Sequence, residues 1–318
     1  MTAMSSYVTR RLLLVLPTLF VVMVFVFLVI RLFPGDIVDY LSSEQGFTAE
    51  QLALERSRLG IDKPIHEQFV VWVGSILRGD FGQSLKTKRL VANDIQQKIP
   101  VTLELGALAI LVSVMIAIPV GIISSIRQDT VADYLGRGIA IWALSIPGFW
   151  LATMLILALT LWFHWLPPVQ YVPFHVDPWK NLQQFFLPSL VLGINLSGIL
   201  MRMTRTTLLD VLRQDYIRTA WAKGLRERSV LFGHAIRNAL LPVVTILGVE
   251  AARVVGGSVV METIFGLPGV GRYVLEVLSV RDYPAIQAAI LLIAAFVIVI
   301  NLVVDLLYGY LDPRIRLR

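Results

Sequence analysis

The chain has 318 residues, of which 56% are hydrophobic and 16% charged, with a net charge of +6 and no cysteine. This balance is too apolar for a soluble domain and suits a protein with several bilayer-spanning helices. Without cysteine there are no disulfides, thiolate metal sites or cysteine nucleophile. The basic residues sit between apolar runs, so they read as positive-inside topology and not as a nucleic-acid surface.

Arg10 and Arg11 precede an unbroken apolar run from Leu12 to Ile30, closed by Arg31. The run is longer than the hydrophobic part of a signal peptide, and no small-x-small cleavage pattern follows before Pro34, Gly35 and Asp36. Residues 1–31 are therefore expected to form a first transmembrane helix. Residues 32–98 form a polar insert of mixed charge, too long for a bare loop and so expected to be a small folded external subdomain. Within it a helix is expected from Thr48 to Leu59, opened by a capping box of Thr48 and Gln51.

The remaining spans are expected at about 101–126, 138–162, 188–203, 243–260 and 284–308, within a transmembrane region of residues 99–309 followed by a tail at 310–318. Pro147 lies inside the third span, where a missing backbone N–H favours a kink or unwound segment. Its role is open between a packing kink and a pathway residue. Trp162 to Phe186 reads as an outer loop rich in proline and aromatics. Glu250 and Arg253 stand three apart on one face of the fifth span. Charges there are expected to pair with each other or to face a water-filled cavity, so a structural salt bridge and a pathway lining are rival readings. Gly256 to Gly271, which includes Glu262, Gly266 and Pro268, is too rich in glycine and proline for a simple helix. Asn301 and Asp305 share a face near the end of the last span, where inter-helix hydrogen bonding is the plainer reading.

The segment from 204 to 242 breaks the apolar pattern. It carries Arg205, Arg213, Arg218, Lys223, Arg226, Arg228 and Arg237 with Asp210, Asp215 and Glu227 between them. It reads as two short helices joined by a turn. Asp215 is the expected cap of the first, Gly224 its left-handed end and Ser229 the cap of the second. Basic residues concentrate here and at Arg10, Arg11, Arg127, Arg137, Arg202, Arg314, Arg316 and Arg318, whereas the two short outer loops carry only Lys180, Arg272 and Arg281. Both termini are therefore expected in the cytoplasm.

The run from Asp215 to Gly224 (Asp-Tyr-Ile-Arg-Thr-Ala-Trp-Ala-Lys-Gly), with Arg237 to Thr245 (Arg-Asn-Ala-Leu-Leu-Pro-Val-Val-Thr), closely resembles the cytoplasmic loop of binding-protein-dependent ABC importer permeases, dipeptide/oligopeptide branch. Arg218, Thr219 and Ala220 stand where the general family has Glu-Ala-Ala, a departure that suits the peptide branch. Leu59 to Pro64, Leu77 to Ser84, Glu262 to Gly271, Asn301 to Gly309 and Asp312 to Arg316 resemble the same branch, so the likeness covers nearly the whole chain. Glu250 and Arg253 depart from the amide or small residues usual there.

The resemblance implies an all-α membrane protein with six transmembrane helices of the type I ABC importer permease fold and a small external subdomain after the first helix. It implies an inner-membrane subunit that pairs with a second, homologous permease. Two cytoplasmic ATPase subunits or domains and an extracytoplasmic solute-binding protein complete the system. Asp215, Tyr216, Arg218, Thr219, Ala220, Lys223, Gly224 and Arg226 would form the loop that docks on the ATPase. Pro147, Glu250, Arg253, Glu262, Gly266 and Pro268 are the candidates for the pathway or gate. ATP and magnesium would be bound by the partners, since the chain holds no G-x-x-x-x-G-K-[ST] loop. No catalytic or metal-ligating constellation appears; His66, His164, His175 and His234 are scattered. The substrate is left open among dipeptides, oligopeptides, glutathione-like solutes, nickel chelates and oligosaccharides. The alternative is a stand-alone secondary transporter or channel, for which internal repeats would be the expected mark.

Overall fold

A computed structural model of the chain describes residues 2–32, 38, 48–58, 60–168 and 170–311. Pro34, Gly35, Asp36, Leu59 and the phrase from Asp312 to Arg316 lie outside them. The described residues form α1 (Thr2–Leu32), α2 (Ala49–Arg58), α3 (Ile65–Leu77), α4 (Val91–Ile126), α5 (Val131–Ser145), α6 (Gly148–Phe163), α7 (Pro178–Leu212), α8 (Asp215–Ala222), a π-helical turn (Ser229–Ala235), α9 (Ile236–Ile264), α10 (Val270–Ser279) and α11 (Tyr283–Leu311).

Five stretches are long and apolar enough to cross a bilayer: Thr9–Val29, Val91–Ile126, Pro178–Leu212, Ser229–Val254 and Tyr283–Leu306. The pair α5 and α6 passes the same test but is bent by 99°, and counted as one span it brings the total to the expected six.

Several boundaries differ from expectation, each for a local reason. α4 begins ten residues before 101 because Val91 and Ile95, with the half-buried Ile99, repeat at helical spacing and enter a core. α7 begins at Pro178, inside the stretch expected to be an outer loop. Asp177 Oδ1 accepts the Lys180 N–H at 3.1 Å, and Pro178 fills the first helical position, where no N–H is needed. That same bond holds the Asp177 carboxyl below its usual range. α9 runs straight through Gly256, Gly257 and Ser258 to Ile264, so the expected irregular stretch is helical over its first part. α11 reaches Leu311, two residues into the expected tail.

The chain divides into two compact units. One comprises Ser6–Val101 and Pro268–Val299. Its core gathers Val26, Val91, Ile95, Tyr273, Val277, Ile286 and Ala289, so the insert shares its interior with α10 and the start of α11. The buried carboxylate of Asp282 fastens the loop before α4, accepting from Ser84 Oγ at 2.6 Å and from the Lys86 N–H at 3.4 Å. Burial, with Asp94 and Asp282 nearby, pushes the Tyr273 phenol above its ordinary value. At α2 the expected capping box is present: Thr48 Oγ1 accepts the Gln51 N–H at 3.4 Å, and Gln51 Oε1 accepts the Thr48 N–H at 2.9 Å.

The other unit comprises Met1–Ser5, Thr102–Leu267 and Ile300–Arg318. Its central element is α7, whose glycines let neighbouring backbones approach closely. A Cβ on Gly193 would lie 2.9 Å from the Ala109 carbonyl oxygen of α4, and one on Gly198 would lie 2.8 Å from the Ala140 carbonyl oxygen of α5. Gly198→Ala is therefore expected to cost about 1–3 kcal/mol through overpacking. Gly138→Ala, with nothing within 4 Å of the new Cβ, is the control. Thermal unfolding in detergent checks this: the midpoint should fall for the first variant and hold for the second.

Candidate functional site

Three groups of residues in the unit around α7 form the candidate site. The first is the polar segment after α7. α8 buries Ile217 and Ala220 in a small core with Leu208, Val230, Ala235, Ile236 and Ala239, which ties it to the end of α7 and the start of α9. The other candidate docking residues, Asp215, Tyr216, Arg218, Thr219, Lys223, Gly224 and Arg226, are exposed, and only Ala220 points inward. Asp215 is the first helical residue and does not cap; Gln214 precedes the helix without a side-chain capping bond, its Nε2 donating back to Asp210 O at 3.4 Å. Asp215 instead lies 3.5 Å from Arg218, an exposed pair of little energetic weight. Gly224 does end the helix as expected. At φ +74° its N–H reaches Trp221 O, while the Leu225 N–H reaches Ala220 O, the paired bonds of a Schellman cap. Ser229 makes no cap either, because it opens the π-helical turn that runs unbroken into α9, with the Ile236 N–H reaching Leu231 O five residues back. The face of this segment also exposes Trp221 at 45% and Phe232 at 67%. Asn238 Nδ2 donates to Tyr216 Oη at 3.3 Å and to the His234 carbonyl at 2.8 Å, linking α8 to α9.

The second group surrounds Pro147. Ile146 and Pro147 are extended, with ψ of 123° and 128°, and they separate α5 from α6. In an unbroken helix the N–H of residue 147 would bond the Ala143 carbonyl, but proline has none. Asn195 of α7 supplies the missing donor, its Nδ2 lying 3.3 Å from Ala143 O. The same amide explains Gly148: a Cβ there would stand 2.7 Å from Asn195 Oδ1. Asn195 was not among the expected site residues, although an amide inside an apolar run was the visible signal.

The third group lies on α9. Glu250 is 5% exposed and pairs with Arg253, Nη1 to Oε1, at 2.7 Å. The arginine side chain is 65% exposed, so the carboxylate is inside and the cation outside. Further along, Glu262 is fully buried and accepts from Thr102 Oγ1 of α4 at 2.7 Å. The helix then ends in a second Schellman cap. Gly266 takes φ +68°, its N–H reaches Thr263 O, and the Leu267 N–H returns to Glu262 O at 2.8 Å. Pro268 follows, as is common just past such an end. Expected pathway residues thus come in two places on this helix, the Glu250–Arg253 pair and the Glu262–Gly266 terminus. Asp305 has a partner and Asn301 is exposed.

Two further polar clusters escaped the sequence reading. Asp133 of α5 is fully buried. It accepts a forked pair from Arg205 of α7, Nε at 2.7 Å and Nη2 at 2.6 Å, as well as Ser124 Oγ of α4 and the Asp129 N–H. Arg205 appeared as one more cytoplasmic cation, and nothing in the spacing of 133 and 205 announces the bridge. At the other end of α7 the Gln184 amide gathers the loop before it. Its Nε2 donates to Pro168 O and Gln170 O, and its Oε1 accepts the Val172 N–H. Among the described residues no group of three or more His, Asp or Glu could hold a metal ion.

Comparison with known proteins accords with this geometry. A family profile described as "Binding-protein-dependent transport system inner membrane component" matches residues 117–317. A second, "Binding-prot-dependent transport system membrane comp, N-term", matches 4–106. The dipeptide transport system permease protein DppB of Escherichia coli (strain K12) is 36% identical over 338 residues, covering 98% of this chain and 99% of that protein. The glutathione transport system permease protein GsiC of Salmonella typhimurium (strain LT2) is 39% identical over 313 residues, covering 98% and 99%. A crystal structure of an amino acid ABC transporter with histidines aligns at a TM-score of 0.52 and 16% identity, over 70% of this chain and 94% of that one, a likeness of fold alone. These likenesses favour the importer permease over the stand-alone transporter or channel.

Removing one partner of a buried pair leaves the other desolvated, so Asp133→Ala should destabilise by about 3–5 kcal/mol. The double variant Asp133→Ala, Arg205→Ala should recover part of that loss. Unfolding midpoints of the purified proteins measure both. Strictly additive losses would show that the two side chains do not act as a pair. Asn195→Leu should cost about 1–3 kcal/mol by orphaning the Ala143 carbonyl, read by the same assay.

Proposed function

From the premise that this chain belongs to the family of inner membrane components of binding-protein-dependent transport systems, as a permease subunit of an ABC importer in the dipeptide/glutathione branch, we propose that it imports dipeptides, oligopeptides or similar small solutes. It would do so beside a second, homologous permease. Two ATPase subunits or domains would sit below, and an external binding protein would deliver the solute. Both termini and the segment from 204 to 242 would face the cytoplasm, and the insert the outside. The substrate assignment is supported by near-full-length relatives at 36% and 39% identity that carry dipeptide and glutathione names.

The exposed face of α8 carries the coupling role. Seven of the eight candidate docking residues in α8 and the turn after it are exposed, and Tyr216 and Trp221, with Phe232 of the π-helical turn, present aromatic surface between basic side chains. Exposed aromatics with arginine are the composition of a protein interface. The buried face shares one core with α7 and α9, so displacement of α8 moves the ends of both helices together. α9 in turn bears Glu250, Arg253, Glu262 and Gly266, the proposed pathway and gate residues. ATP bound by the partners drives the cycle only by favouring one arrangement of these helices over the other.

Affinity purification of the tagged chain from native membranes should bring down a second permease of similar size and one or two ATPases, with ATP hydrolysis in the eluate. Gly224→Val tests the coupling face. Nothing lies within 4 Å of the new Cβ, so the damage is conformational and local to the helix end. The left-handed strain is about 1–2 kcal/mol. Solute uptake should fall about tenfold or more while the amount of protein in the membrane is unchanged. Normal uptake at normal expression would end the docking assignment.

A further inference from the structure

A cavity of about 160 Å³ opens between α4, α5 and α7, against the buried cluster of Asp133, whose partners Arg205 and Ser124 form part of its wall. Its lining is graded along the helices. Ala140, Ile141 and Leu144 of α5 form one end, whereas Arg137, Arg202, Arg205 and Thr206 form the other, toward the side where α7 leads into α8, with Val120 and Met201 beside them. The grading follows from register. α5 starts at the polar end and α4 and α7 finish there, so each helix contributes its apolar residues deeper and its polar ones nearer the end. Arg137, Arg202, Thr206, Ile141 and Leu144 are all exposed, so the cavity opens sideways from the bundle.

Among the described residues no carboxylate pairs with the arginines at the mouth other than Arg205. Arg205 is spent on Asp133, the nearest carboxylate, which Ser124 and the Asp129 N–H also occupy. Arg137 lies over the Tyr134 ring, its guanidinium carbon 5.5 Å from the centroid, and neither Arg137 nor Arg202 makes an ion pair among the described residues. No carboxylate lines the cavity. Two guanidinium groups without an ion pair among the described residues, and a hydroxyl, therefore stand at one end of a laterally open recess whose other end is apolar.

We propose that this recess is a binding site for an anionic phospholipid, with the phosphate held by Arg137 and Arg202 and the acyl chains lying along the exposed apolar face of α5. The charge complements an anionic head group, and the apolar end complements the glycerol and first methylenes. Basic pockets between transmembrane helices are the general form of such sites. The site takes its place in the leaflet on the α8 side, next to the buried pair that fixes α5 against α7. Its occupant would thereby fill a recess that otherwise weakens the packing of those helices.

The test uses the tagged chain purified in mild detergent with whatever subunits accompany it, followed by native mass spectrometry of retained lipid. It is repeated after reconstitution into nanodiscs of phosphatidylcholine with or without phosphatidylglycerol. Anionic lipid should be retained over phosphatidylcholine, and R137Q/R202Q should weaken that retention roughly thirty-fold, the combined effect of two basic contacts. Both residues are exposed, so an unchanged unfolding midpoint in lipid-free detergent excludes misfolding as the cause. No preference for anionic lipid, or equal retention by the double variant, would overturn the proposal. So would the finding that Ile141→Cys, in a chain otherwise free of cysteine, crosslinks to a second protein and is shielded from a lipid-borne thiol reagent. That outcome would make the recess part of a subunit interface.

Discussion

A bilayer offers no water to a backbone group left without a partner, and among the described residues several departures from regular helix are matched by a group that takes water's place. The Ala143 carbonyl, freed by Pro147, is taken by Asn195. The loop before α7 would carry bare amides and carbonyls, but the Gln184 side chain gathers three of them and the Asn181 side chain a fourth. The ends of α8 and α9 close their last carbonyls with Schellman bonds at Gly224 and Gly266. α7 provides all three of these amide partners, and its glycines bring α4 and α5 to within backbone contact. Its sequence, polar at chosen points and small at others, follows from that double role.

The buried charges obey the same constraint with different stakes. Asp133 is saturated: two guanidinium donors, one hydroxyl and one backbone N–H surround it. Such a site is strong because nothing is left unpaired, and its loss is correspondingly severe. Glu250 is buried with one cation that is itself largely in the open. That arrangement holds a carboxylate inside while leaving its partner free to move. Glu262 has a hydroxyl donor from α4 and sits where its own backbone carbonyl closes the helix end. The first site is structural, whereas the other two stand on the helix that carries the proposed gate.

Much of this was legible in the sequence, because periodicity and punctuation are local signals. The apolar runs, the Thr48–Gln51 box, the break at Pro147 and the left-handed end at Gly224 were all visible in short windows. What the windows hid were partners distant in the chain. Asn195 answers a proline 48 residues away, and Arg205 answers an aspartate 72 residues away. Asp215 and Ser229 were read as caps by residue type. The chain instead starts α8 at Asp215 and passes from Ser229 through a π-helical turn into α9, because packing of Ile217, Val230 and Ala235 decided the register. The departure at Glu250 and Arg253 was also visible, and the pair does form, with its burial uneven in a way that spacing alone could not indicate.

α8 has eight residues, fewer than the ~12–15 at which an isolated helix becomes even marginally stable in water. It buries only Ile217 and Ala220, and both its ends are free of side-chain caps. Its local stability is therefore well below that of the long helices it rests on, and its amides belong to the low-energy end of hydrogen exchange, opening without any global unfolding. A partner that covers the exposed aromatic face would slow that exchange in α8 before it slowed anything else. The segment proposed to transmit force is thus completed by the surface it pushes against.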